Sequence, residues 1–132
     1  WLSHASEPVG HIYPGKGHIT PDVLYCFVTS FPDLKIVLAH WGGGLPFYAL
    51  MPEVASALTN VYFDTAASPF LYRPAIYKQV AELVGDDKVL FGSDYPLLRQ
   101  SRLIDEIRAQ ALAREVTDKI LGGNARRLLG IR

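Results

Sequence analysis

Short β-branched or aromatic runs, each closed by a histidine or an aspartate, most constrain how this chain can fold. They are Lys35-Ile-Val-Leu-Ala-His40, Asn60-Val-Tyr-Phe-Asp64 and Lys88-Val-Leu-Phe-Gly-Ser-Asp94, with Trp1-Leu-Ser-His4 reading as the tail of a fourth. Such continuous apolar runs mark strands covered on both faces. Helical periodicity fills the segments between them. Thr20-Pro21-Asp22 supplies an N-cap, a proline at the first helical position and an acid in the first turn. Leu24, Phe27, Val28 and Phe31 follow at helical spacing until Pro32 ends the segment. A second helix is expected from Pro46 to Leu58. A third runs from Arg73-Pro74 to Gly85 with Ile76, Val80, Leu83 and Val84 on one face, and a fourth from Ser101 to Leu112. Shorter helical pieces are expected at 115–121 and 124–129.

The order β-α-β-α-β-α-β-α predicts an α/β fold built on a parallel sheet. Two architectures satisfy it: an open four-stranded sheet, or half of a (β/α)8 barrel, whose usual ~250 residues are about twice this length. Both place ligands beyond the carboxyl ends of the strands, where His4, His40, Asp64 and Asp94 fall. No linker or low-complexity stretch divides the chain, so residues 1–132 read as one domain.

Charge and composition narrow the partners. Thirteen basic residues cancel thirteen acidic ones, leaving no net field to draw the chain to nucleic acid or an anionic membrane. No apolar run approaches the ~18 residues of a membrane span. A small-molecule partner is therefore expected. The single cysteine, Cys26, cannot form an intrachain disulfide, and no signal peptide is visible, so a cytoplasmic setting is expected. The chain enters at Trp1 as though in mid-element, from which a missing N-terminal part is expected.

His4, His40 and Asp94 meeting at one sheet mouth would make a site for a divalent metal, with zinc the first expectation. Either histidine taken alone is better explained as a hydrogen-bonded strand end; recurrence at three strand ends reverses that preference in favour of the metal. Such an ion would activate a water or polarise a substrate oxygen, leaving proton transfer to His40 and Asp94 as catalytic residues. Asp64 is given a supporting part. The loop from His40 through Trp41 to Gly42-Gly43-Gly44 is either an anion-holding concavity of backbone amides or a tight turn needing positive φ. The polar loop over residues 7–18 offers His11, Tyr13 and Lys16 as substrate contacts, joined by Trp41, or else is a solvated lid. Tyr48, Met51, Tyr72 and Tyr77 are assigned to the core, and Arg126-Arg127 to a solvated face.

Leu-Ala-His40-Trp-Gly-Gly-Gly, Tyr-Phe-Asp64-Thr, Leu-Phe-Gly-Ser-Asp94-Tyr-Pro and Gly-Asn124-Ala-Arg-Arg-Leu-Leu together resemble the amidohydrolase-related metal-dependent hydrolases. That branch also contains aminocarboxymuconate semialdehyde decarboxylase and related non-oxidative decarboxylases. The resemblance runs through essentially the whole chain and implies the C-terminal half, strands five to eight, of a TIM (β/α)8 barrel. It implies His4 as the strand-five metal ligand, His40 as the strand-six histidine at the metal or its water, and Asp94 as the strand-eight aspartate. The family's His-x-His pair does not occur here. The expectation is thus part of a metal-dependent hydrolase or decarboxylase for a small carboxylated or carbonyl substrate. The chain would work as a homo-oligomer or as the remainder of a longer chain. The alternative is a catalytically silent half-barrel module for binding or assembly.

Overall fold

In the computed structural model, which describes residues 1–131, the four apolar runs pair as one parallel sheet in the order β1-β2-β3-β4. The strands are β1 (Leu2–Ser3), β2 (Ile36–Leu38), β3 (Val61–Asp64) and β4 (Val89–Leu90). Leu2 lies opposite Val37 and Val37 opposite Tyr62, while Leu38 faces Phe63 and Phe63 faces Val89. Because side chains alternate along a strand, this register gathers Ile36, Leu38, Val61, Phe63 and Val89 on one buried face. The other face is half open: Val37 and Tyr62 are only partly buried and Leu2 is 67% exposed. The expectation of strands covered on both faces therefore holds for one face only.

Helices pack on the dry face. α1 (Pro21–Ser30) contributes Leu24 and Val28, α5 (Ile76–Val84) contributes Ile76, Tyr77 and Val80, and α6 (Gln100–Arg108) contributes Ile107 to one core with the strands. Burial of each such side chain is worth about 1.5–3 kcal/mol. Between α1 and α5 lie α2 (Ala39–Gly42), a 3-10 helix at Leu45–Leu50, α3 (Pro52–Ala57) and α4 (Ser68–Leu71).

The single helix expected from Pro46 to Leu58 is thus two. Pro52 pushes the residue before it out of the helical region, and Met51 is extended at φ −84° and ψ 120°. The break also turns Tyr48 and Met51 outward at 51% and 45% exposure, against their assignment to the core. Tyr77 is fully buried as expected and Tyr72 partly so. α5 stops at Gly85, whose φ is 98°. After α6 come α7 (Arg114–Asp118), a π-helical turn at Lys119–Gly123 and α8 (Asn124–Leu129). The buried Asn124 amide donates to the carbonyls of Asp86 and Val89, tying the last helix to β4. Among the described residues no helix is long and apolar enough to cross a membrane.

Candidate active site

Beyond β2 the chain turns left-handed for five residues, with φ of 54° at His40, 56° at Trp41, 59° at Gly42, 61° at Gly43 and 96° at Gly44. Glycine is required here for space as well as for φ. A Cβ on Gly43 would stand 2.4 Å from the Ser6 carbonyl oxygen, and one on Gly42 would stand 2.8 Å from the Phe63 ring. His40 and Trp41 occupy the same region at a cost of roughly 1–2 kcal/mol each. Two anchors offset it. Asp64 Oδ1 accepts the His40 backbone N–H at 2.9 Å, and Trp41 Nε1 donates at 2.7 Å to Ser68 Oγ, which donates to the Thr65 carbonyl. The amides of Gly43 and Gly44 are engaged by the carbonyls of His40 and Trp41, so the loop is a turn and not an open anion cradle.

The same turn corrects the expectation for Trp41. Its side chain is 0% exposed and stands edge-on to the Tyr77 ring with centroids 5.5 Å apart, so it belongs to the core and cannot touch substrate.

His40 itself projects into a cleft of about 460 Å³ whose lining includes His4, Glu7, His11, Tyr13 and Asp94, with apolar walls from Phe70, Leu71 and Leu97. The His4 and His40 rings meet edge to face with centroids 5.0 Å apart. His40 Nδ1 lies 3.2 Å from the Ala66 carbonyl. A carbonyl only accepts, so Nδ1 is the donor of this bond and Nε2 is the nitrogen left for another partner. His4 Nε2 is 3.0 Å from Ser6 Oγ, leaving Nδ1 for another partner. Burial, and then the neighbouring His40, hold the His4 pKa below the usual histidine value against the opposing pull of Asp94 and Glu7. Neutral imidazole is the form a metal needs.

Asp94 lies four residues beyond β4, with φ of 63°. Its carbonyl accepts the Leu97 N–H at 2.8 Å across a turn that contains the cis Tyr95–Pro96 bond. Asp64 lies beneath the cleft, its Oδ1 also accepting the Ala66 N–H at 3.0 Å. Burial pushes the Asp64 pKa above the ordinary carboxylate value even though these two amides favour the charged form. Thr65 and Gly92 exchange hydrogen bonds, Thr65 Oγ1 donating to the Gly92 carbonyl and accepting its N–H, and so hold the β3 and β4 exits together.

The loop before α1 folds onto the cleft. His11 Nε2 donates to the Leu71 carbonyl at 3.0 Å, and Tyr13 lines the cleft at 39% exposure. Lys16 turns back instead, donating to the Gly10 carbonyl at 2.7 Å with its ammonium 5.9 Å from the Tyr13 ring. Glu7, 7% exposed, is a cleft residue that sequence reasoning missed. Its one signal was being the only acid in the first twenty residues, three places after His4.

The donors fit the chemistry of a divalent cation: two imidazoles, one with its second nitrogen fixed by a carbonyl, and an accessible carboxylate. Their number is short of a closed site. Among the described residues no three His, Cys, Asp or Glu side chains converge closely enough to hold an ion by themselves.

Residues 8–131 match the family described as Amidohydrolase. The chain belongs to the amidohydrolase family. Among curated relatives, this amidohydrolase is 34% identical over 102 residues to 6-methylsalicylic acid decarboxylase of Penicillium expansum, covering 64% of the chain and 31% of the relative. It is 26% identical over 117 residues to 2-amino-3-carboxymuconate-6-semialdehyde decarboxylase of Dictyostelium discoideum, covering 76% and 32%. The chain thus spans about a third of the length of these relatives.

Solved structures agree on the fold. 5-Carboxyvanillate decarboxylase from Sphingomonas paucimobilis superposes with a TM-score of 0.76 at 20% identity, over 99% of this chain and 49% of that one. A TIM-barrel protein from Bordetella bronchiseptica gives 0.74 at 25% identity, over 98% and 44%. A dihydroxybenzoic acid decarboxylase from Polaromonas, solved with manganese and an inhibitor, gives 0.66 at 22% identity, over 79% and 36%.

Proposed function

We propose that this amidohydrolase chain is the strand-five-to-eight half of a (β/α)8 barrel. The complete enzyme would be a metal-dependent, non-oxidative decarboxylase of a small, planar carboxylic acid. The observation that carries this reading is a cleft at the carboxyl ends of the strands that His4, His40 and Asp94 all line. The relatives matched are named as decarboxylases, and the apolar walls of the cleft suit a ring. The half-open sheet face and the outer edges of β1 and β4, unpaired among the described residues, suit closure by further strands.

His4 and Asp94 would hold part of the coordination sphere of a zinc or manganese ion, the remaining ligands coming from the rest of the barrel, and His40 would stand beside the ion with Nε2 left for the proton. When bound, the ion supplies positive charge that binds the substrate's oxygens and withdraws electron density from the carbon losing its carboxylate. Exchanging a carbon–carboxylate bond for a carbon–hydrogen bond consumes one proton and releases carbon dioxide. His40 is oriented for that work. Its Nδ1 is committed to the Ala66 carbonyl and its backbone to Asp64, so Nε2 is the nitrogen that gives or takes the proton. Asp94 lines the same cleft and is a further group able to hold that proton. Tyr13 and His11 border the substrate, and the loop they sit on is pinned to the Leu71 carbonyl.

Carbon dioxide release from hydroxylated benzoic acids by the full-length protein tests the reading. His40→Ala and Asp94→Ala should each lower kcat/KM by a factor on the order of 10² or more. Undiminished release in both variants contradicts the proposal, and ester or lactone hydrolysis without carbon dioxide release would replace decarboxylation with hydrolysis. The short ligand set favours one second reading, a silent module. A full-length protein that binds no metal and turns over no acid would establish it.

A further inference from the structure

Thr65, one residue beyond β3 and 0% exposed, joins the two sides of the cleft through its own hydrogen bonds. A hydroxyl both donates and accepts, and here both capacities go to one residue of the neighbouring segment. Thr65 Oγ1 donates to the Gly92 carbonyl at 2.8 Å and accepts the Gly92 N–H at 3.0 Å. The sheet gives out at this point. The Thr65 N–H still donates to the Leu90 carbonyl at the end of β4, at 3.1 Å, and the hydroxyl then takes over from the backbone ladder two residues further on.

Asp94 needs such a clamp. It sits two residues beyond Gly92 in the left-handed region, at φ 63°, and a non-glycine residue stays there only where its surroundings impose it. The Leu97 N–H fixes the far side through the Asp94 carbonyl, and Thr65 holds the near side through Gly92. Gly92 is drawn in so closely that a Cβ on it would stand 3.1 Å from the Asp64 carboxyl carbon. The same span reaches His40. The Thr65 carbonyl accepts the Ser68 hydroxyl, which accepts the indole N–H of Trp41, the residue after His40. Asp64 and Ala66, on either side of Thr65, hold the His40 backbone and ring.

We propose that Thr65 is a positioning residue whose hydroxyl clamps the β4 exit at Gly92 and so sets the Asp94 carboxylate at the cleft, in register with His4 and His40. This rests on the metal-dependent reading above, in which Asp94 is a ligand. Removing the hydroxyl leaves the N–H and carbonyl of Gly92 without their partner and frees the segment that carries Asp94 to shift. Partners that orient a ligand are felt in metal affinity although they never touch the ion.

The test is the dissociation constant of zinc and of manganese, by competition with a chelator, in the full-length protein, with melting temperatures in parallel. Wild type is compared with Thr65→Val, Thr65→Ser and the core variant Val80→Ala. Valine keeps the shape of threonine and loses both bonds to Gly92, so Thr65→Val should weaken the metal that wild type binds by about tenfold or more. Thr65→Ser keeps the hydroxyl and should recover most of that loss. Val80→Ala, buried on α5 behind the sheet, should lower the melting temperature and leave metal affinity unchanged. If Thr65→Val does not fold, Gly92→Ala carries the test. Its added Cβ presses on Asp64 and displaces the same segment, so metal binding should again weaken. Unchanged affinity in Thr65→Val, or in Gly92→Ala where it stands in, overturns the proposal. An equal loss in Thr65→Ser overturns it too, as does a comparable loss in Val80→Ala, which would make the effect one of stability alone. Wild type that binds neither metal overturns the metal-dependent reading itself, and the positioning role with it.

Discussion

Asp64 shows how a residue with an ordinary sequence context can hold a site together. Asp followed by Thr at a strand end reads as turn chemistry, yet its Oδ1 fastens the backbone of His40 across the sheet as well as that of Ala66. Asp64→Ala should cost about 3 kcal/mol in chemical denaturation, because two backbone donors lose their acceptor. Asp64→Asn keeps a side-chain oxygen for them and should cost far less. Burial raises the Asp64 pKa, so the folded state binds this proton more tightly than the unfolded chain does. Its contribution is therefore fully present below the unfolded carboxylate pKa and falls as pH rises through the higher folded value. The stability of wild type relative to Asp64→Asn should decline across that window. A flat difference would show that burial of the charge is not what Asp64 experiences. His4, His40 and Asp94 were legible because strand ends locate them. Glu7 and the burial of Trp41 were not, since both depend on where a left-handed turn sends the chain.

At the scale of elements, that turn is the feature the run Lys35 to His40 concealed. Its apolar residues have strand character, but the strand stops at Leu38 and three glycines let the backbone reverse hand beside Ser6. The two glycines at the turn's end separate conformation from space. Gly44→Ala meets no atom closer than 3.5 Å, so it should cost only the left-handed penalty, about 1–2 kcal/mol. Gly43→Ala adds a clash with the Ser6 backbone at 2.4 Å and should destabilise more, lowering the melting temperature further than Gly44→Ala. Equal effects would mean that the approach to Ser6 is loose. The break at Met51 was readable in principle, since Pro52 restricts the residue before it, but helical periodicity over 46–58 masked it. α1 and α5 were read well because proline at one start and glycine at the other end are strong local signals.

For the whole molecule, alternating strands and helices conveyed the parallel sheet and its order of elements, whereas exposure of one sheet face was invisible in the runs themselves. Parallel strands read as apolar whether or not the inner face is filled. If this chain is half of a barrel, the 132 residues alone should self-associate in size-exclusion chromatography and bind a hydrophobic dye through the open face, and the full-length protein should do neither. A stable, dye-silent monomer of the isolated chain would argue for a self-sufficient open sheet. The same closure would bring the ligands that a site built on His4 and Asp94 lacks. The most direct test of the account is therefore the metal content of full-length protein by elemental mass spectrometry, comparing wild type with His4→Ala/Asp94→Ala under conditions where both are folded. The account predicts about one zinc or manganese ion per wild-type chain and its loss from the double variant. Equal metal content in the two proteins would contradict it.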